Sequence, residues 1–150
     1  MGLEGGKPVA TPGIADSEAD VHEREESKDL QGTEATQYRA LAARLNYLAL
    51  DRADLQFAAK EISKYMSSPK DADWVKIKRV GRYLLGTPRY VQSFIWQDMP
   101  RELTTFADSD WAGDKVSRKS TSGGALMCGY HLLKSWSSTQ PVIALSSGEA

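Results

Sequence analysis

Three carboxylates fall close together in this chain, Asp108, Asp110 and Asp114, and a fourth, Glu149, stands near its far end. Oxygen donors of this kind are what a divalent cation needs. Two-metal hydrolysis requires ions about 3.5–4 Å apart, clamped so that both the attacking and the leaving oxygen are stabilised. Magnesium demands near-octahedral oxygen ligation and binds weakly to one or two isolated carboxylates. The four acids are therefore a candidate set only if the fold gathers them. A second kind of chemistry lies in the bases. Lys115, Arg118 and Lys119 make a basic loop after Asp114, and Lys76, Lys78, Arg79 and Arg82 crowd an earlier stretch, with Lys70 before it and Arg89 after. Such side chains can track a phosphate backbone, a sequence-independent and salt-sensitive contact. A solvated helix face and an exposed loop are the plainer readings of the same charges.

The remaining reactive side chains offer less. Cys128 is the one cysteine, which excludes an internal disulfide and a multi-cysteine zinc site. It falls in an apolar run, where a thiol acts as a small buried hydrophobe. His131 heads a strand-like run without a nearby His or acid, and His22 stands alone in a polar stretch, so neither carries a metal or general-base role. Trp111 and Trp136 suit a core better than a base-stacking platform.

The elements that must position these groups can be read from periodicity. Leu103 to Asp108 alternates as a strand, and the following Trp111-Ala112-Gly113-Asp114 turns the chain. Thr121 to Cys128 is small and apolar, with Gly123 and Gly124 permitting close approach of another backbone. Gly129-Tyr130 is a short turn, and His131 to Ser138 alternates again, so an antiparallel meander is expected. Ser146-x-x-Glu149 has the spacing of a capping box that opens a helix. Upstream, Tyr90 to Trp96 reads as a further strand, pairing with Leu103–Ala107. Before that come three amphipathic helices. The first, from Thr33 or Thr36 to Leu50, carries a stripe of Tyr38, Leu41, Ala42, Leu45, Leu48 and Ala49. The second, capped by Asp51 or Asp54, carries Leu55, Ala58, Ala59, Ile62, Tyr65 and Met66 and stops at Ser67-Ser68-Pro69. The third starts near Asp71 or Asp73, buries Trp74, Ile77, Val80 or Gly81, and Leu84, and ends in the order Gly86, Pro88.

Several motifs occur together in a recognisable order. ADSDWAGD, SRKSTSGG and SWSSTQPVIALSSGEA resemble the opening of the ribonuclease H domain of Copia-type retrotransposon Pol polyproteins. YRALAARLNYLALDRADLQFAAKEISKYMSSP and RVGRYLLGT resemble the region of the same polyproteins that joins the reverse transcriptase to that domain, its thumb and connection. The resemblance covers about Ala35 to Ala150. It implies an α+β chain: a three-helix thumb/connection-like unit at 33–88, then the first antiparallel strands of a ribonuclease H-like fold at 89–150, cut at the first helix. It also implies that Asp108 is the first ligand of a carboxylate set holding magnesium. The next ligand in the family is the last residue of a Glu-Ala-Glu sequence and would follow Ala150. No match to the polymerase's Tyr-x-Asp-Asp hairpin is present. The chain alone is thus expected to bind no magnesium stably and to cleave nothing. The implied partners are an RNA–DNA hybrid or other nucleic acid, gripped in the family by the thumb and connection, and the rest of a Pol polyprotein. Arg52-Ala53-Asp54 departs from the family, which commonly has proline in the middle.

Charge and composition complete the reading. The net charge of −1 hides an asymmetry, because residues 1–34 carry nine acids against three bases. The remainder is basic, which suits a polyanionic partner. Residues 1–32 mix Gly, Pro and acids with few large apolar groups, a composition expected of an acidic flexible linker. There is no apolar run of the roughly 18 residues a membrane span needs and no signal-peptide pattern, so an intracellular protein, cytoplasmic or nuclear, is expected.

Overall fold

A computed structural model describes residues 6–150, and they form two compact units that divide between Arg89 and Tyr90. The first unit holds four helices, α1 (Glu18–Glu26), α2 (Gly32–Leu48), α3 (Gln56–Ser63) and α4 (Trp74–Gly86), with single 3-10 turns at Ala53–Leu55 and Asp71–Asp73. The second holds three strands, β1 (Leu103–Ser109), β2 (Thr121–Cys128) and β3 (His131–Thr139).

The core of the helical unit is built from the apolar stripes. Tyr38, Ala42 and Leu45 of α2, Ala58, Ala59 and Ile62 of α3, and Ile77, Val80 and Tyr83 of α4 are buried together, with Leu55 from the turn between α2 and α3. Leu41, Met66, Trp74 and Leu84 pack on it half-buried, while Leu48 points out. Tyr38 sits at the centre. Its ring meets Trp74 edge-on at 5.9 Å, and its hydroxyl donates to the Ile62 carbonyl at 2.8 Å. Burial pushes the ionisation of that phenol far up, and the Asp73 carboxylate adds to the effect.

Composition misjudges residues 6–32. Met1–Gly5 lie outside the described residues, but the rest of the expected linker is ordered against the helical unit. Ser17 caps α1 by accepting from the Asp20 amide at 3.2 Å, and Asp20 returns the bond by accepting from the Ser17 amide at 2.8 Å. The Ser17 hydroxyl, donating to the Asp20 carboxylate at 2.6 Å, and after it the Ser17 amide hold that carboxyl below its usual range. Arg24 of α1 then reaches the buried Asp73 at 2.8 Å and lies over the Tyr65 ring at 3.8 Å. The amides of Leu30 and Asp71 exchange bonds with the carbonyls of Pro69 and Lys28 at 2.8 and 2.9 Å. Few large apolar groups are needed when the segment borrows its core from three helices and supplies charged partners at fixed points.

In the second unit the strands form a meander in the order β1-β2-β3, antiparallel throughout. The β2–β3 turn is Gly129-Tyr130, with Gly129 at φ +57°, a conformation only glycine adopts without strain. A Cβ there would also collide with the Gln97 side chain. A bulge between Leu126 and Met127 shifts the β2–β3 register. Trp136 lies across Gly124, its register partner, so closely that a Cβ at Gly124 would clash with the indole.

Two local expectations fail here. Tyr90–Trp96 is not a strand and makes no ladder with β1. The segment is held instead by side chains: Gln92 donates to the Leu132 carbonyl, and Gln97 donates to Cys128 and accepts from the Tyr130 amide. A strand forms only where a neighbour offers a ladder, and alternation cannot supply one. Nor does Ser146-x-x-Glu149 form its capping box. Glu149 accepts from the Leu145 amide at 2.8 Å, one residue earlier, and the residues make a turn.

Candidate functional site

The carboxylates are placed on a strand and on the loop that follows it, and they do not converge. Asp108 lies in β1 opposite Gly123, with its side chain exposed. The ladder runs one residue past β1, the Asp110 amide donating to the Thr121 carbonyl at 3.1 Å, but the Asp110 carboxylate turns back to accept from the Thr121 amide. Asp114 accepts from the amides of Val116 and Ser117 at 3.0 and 3.2 Å. Glu149 is committed to Leu145. Three of the four acids thus accept from backbone amides. Among the described residues no group of three or more His, Cys, Asp or Glu side chains is placed to hold a metal ion. The residues present therefore do not fit the magnesium pair implied for Asp108, and no hydrolytic step is derived through it.

The same bonds shape the basic loop. Asp114 folds it, with the Asp114 amide donating to the Lys119 carbonyl and the Arg118 amide to the Asp114 carbonyl. Ser120, wholly buried, accepts from the Ala112 amide and closes the base of the loop. Lys115 and Arg118 are exposed and Lys119 half-buried, so the loop presents cations to solvent. Arg118 holds φ +58° and Ala112 φ +51°, the strained corners of this turn.

On α4 the cations take a different course. Lys78 is exposed. Lys76, Arg79 and Arg82, spaced by three along the helix, face the segment before α1. Lys76 pairs with Asp16 at 2.6 Å, Arg79 donates to the Thr11 hydroxyl at 2.8 Å, and Arg82 to the Lys7 carbonyl at 2.7 Å. Sequence reading found the cations and missed what covers them. A signal existed in Ser17-x-x-Asp20, a helix start inside the presumed linker, with Asp16 just ahead of it.

His131 is explained without a ligand. Its Nε2 faces the Ile95 carbonyl at 2.7 Å and must carry the proton, leaving Nδ1 to accept from Gln97 at 3.1 Å. Cys128 is half-buried in β2.

Sequence comparison gives these elements a context. Over 145 residues, 96% of the chain, it is 39% identical to the retrovirus-related Pol polyprotein from transposon RE2 and 34% identical to that from transposon RE1, both of Arabidopsis thaliana. It is also 36% identical over 110 residues to secreted RxLR effector protein 161 of Plasmopara viticola, covering 73% of this chain and 77% of that one. No family model and no solved structure matches. Over nearly its whole length the chain is homologous to one segment of the retrovirus-related Pol polyproteins of plant transposons. It spans about a tenth of the length of the RE2 and RE1 polyproteins. Among the described residues no helix is long and apolar enough to cross a membrane.

Proposed function

We propose that the chain is the part of a Copia-type Pol polyprotein that comprises the thumb and connection region of the reverse transcriptase and the opening strands of a ribonuclease H-like fold. In this reading it contributes contacts to the phosphates of an RNA–DNA hybrid and no cleavage of its own. The observation that carries the reading is the similarity to Pol polyproteins across 96% of the chain, which takes in both the helical unit and the sheet. Support also comes from the order of elements, helices and then an antiparallel meander, with Asp108 near the end of the first strand. The non-catalytic part rests on the carboxylates. Asp110, Asp114 and Glu149 are bonded to backbone amides, so what the described residues offer a nucleic acid is positive charge. Lys78, Lys115 and Arg118 are exposed for it.

The test uses a labelled RNA–DNA hybrid. Anisotropy titrations across salt concentrations, with magnesium present and the products run on a gel, read binding and cutting together. Binding that weakens linearly on a log–log salt plot, without cut products, is expected. Magnesium-dependent cutting lost in Asp108→Asn would overturn the non-catalytic part. No binding at low salt would overturn the phosphate contact.

A further inference from the structure

The most cationic row of α4 already has an occupant, and it belongs to the same chain. Residues 7–16 run along the helix and offer it oxygens in sequence: the Lys7 carbonyl to Arg82, the Thr11 hydroxyl to Arg79 and the Asp16 carboxylate to Lys76. Three oxygens set against cations at i, i+3 and i+6 imitate what a phosphate backbone would present. The segment is fastened by packing as well. Val9 lies on the helical core, Gly13 sits close enough to Ala58 that a Cβ would be 3.2 Å from the alanine methyl, and Pro8 covers Gly86.

The fit is incomplete at one point. Nε of Arg79 is buried and has no hydrogen-bond partner among the described residues. Thr11 gives the guanidinium one oxygen, whereas a phosphate engages two parallel N–H groups of an arginine at once. A buried donor left unpaired is costly, so the segment holds the row less well than a phosphate would.

Resting on the hybrid-contact reading above, we infer that residues 7–16 are an internal strap that masks Lys76, Arg79 and Arg82, and that a nucleic-acid phosphate backbone reaches this row by displacing it. The strap and the hybrid compete for the same three side chains. Lys78, exposed on the same helix, lies outside the mask and supplies first contact.

A charge-neutral substitution separates masking from simple electrostatics. In Gly86→Ala the new Cβ would stand 2.9 Å from the Pro8 Cβ, so the strap must shift while every cation stays. Gly86 closes α4 without a left-handed φ, and alanine there favours the helix. Thr11→Val with Asp16→Asn is a second release variant, removing one strap acceptor and the negative charge that faces Lys76. Binding of a labelled RNA–DNA hybrid by the full chain is measured against salt, together with amide exchange of residues 7–16. Release variants are expected to bind about tenfold more tightly near 0.1 M salt. Their salt slope should steepen by about 2–3, the value for three added phosphate contacts. Adding Lys76→Ala, Arg79→Ala and Arg82→Ala should return both to the wild-type level, and hybrid should speed exchange at 7–16 in the wild type. If both release variants bind as the wild type does while the triple alanine variant of the wild type loses binding, the row is open and the strap proposal falls with the hybrid reading intact. If none of the proteins binds hybrid at low salt, the hybrid reading itself falls and takes the strap with it.

Discussion

Replacing Arg52 with methionine should destabilise the helical unit by about 2–3 kcal/mol. Arg52 is only 7% exposed and binds Asp54 along one edge of its guanidinium, Nε to Oδ1 at 3.0 Å and Nη2 to Oδ2 at 2.8 Å. Its remaining arm donates to the Thr87 carbonyl beyond the end of α4 at 3.2 Å, and the Tyr83 hydroxyl donates to Asp54 at 2.7 Å. The cluster therefore ties the turn between α2 and α3 to the last turn of α4. Breaking a fully buried pair costs about 3–5 kcal/mol, but the Asp54 side chain is 20% exposed, so water recovers part of the loss. Methionine preserves the aliphatic stem, which confines the change to the guanidinium. Urea unfolding followed by helical ellipticity measures the cost, and a double-mutant cycle with Asp54→Asn isolates the pair. A coupling near 2 kcal/mol is expected for hydrogen bonds to charged groups. A coupling below about 0.5 kcal/mol, typical of exposed pairs, would show that the cluster is surface decoration and refute the reasoning.

Acid should weaken the same unit in a defined direction. Arg52 holds the Asp54 carboxyl below its usual range; burial pushes the Glu61 carboxyl up, but Lys60 and Lys64 outweigh it and its net shift is also down. Their stabilisation is complete above the unfolded values of about 3.9 and 4.3 and is lost as pH falls through the lower folded values. The urea midpoint should drop between pH 5 and pH 3, less so in Asp54→Asn, and a flat profile would contradict the assignment. Leu55→Ala, at a site with no exposure, should cost about 2–5 kcal/mol in the same urea assay. In the sheet, Gly124→Ala should drive Trp136 off β2, read as a red shift in a variant with Trp74, Trp96 and Trp111 replaced by phenylalanine; an unchanged spectrum would deny the stacking. β1 is exposed along its whole length while β2 is half-buried, so amides of β1 should exchange fastest in the sheet, and equal protection across 103–138 would count against an edge.

How far the sequence discloses the fold depends on where each element finds its partners. The helices α2, α3 and α4 are legible because their stripes of Tyr38, Ala42 and Leu45, of Ala58, Ala59 and Ile62, and of Ile77 and Val80 repeat at helical spacing and close on one another. The meander is legible because Gly129-Tyr130 leaves β2 and β3 no room to be anything but a hairpin. Tyr90–Trp96 has strand-forming residues but no ladder to join, since β1 takes β2 on one side and no described strand on the other. Asp54 shows the same limit at a single residue. An aspartate before an apolar stripe reads as a helix cap, yet α3 has no side-chain cap and Asp54 serves Arg52 and Tyr83 instead. Tyr83 is 29 positions away, beyond any local pattern.

The candidate site was legible in its parts and opaque in its connections, and charge explains why. Counting acids and bases separates an acidic N-terminal stretch from a basic remainder, which suggests two things held apart, a solvated tail and a surface awaiting a polyanion. Opposite charges in one chain are also each other's nearest available partners. Asp16 lies 60 positions from Lys76 and still pairs with it at 2.6 Å, and Arg24 finds Asp73 in the same way. The asymmetry that makes α4 a candidate for phosphate contact is therefore the same property that supplies its cations with partners from the same chain. A basic row measured by charge alone overstates what is free to bind. On α4 the exposed cation is Lys78, and the three beside it become available only at the cost of the contacts they already make.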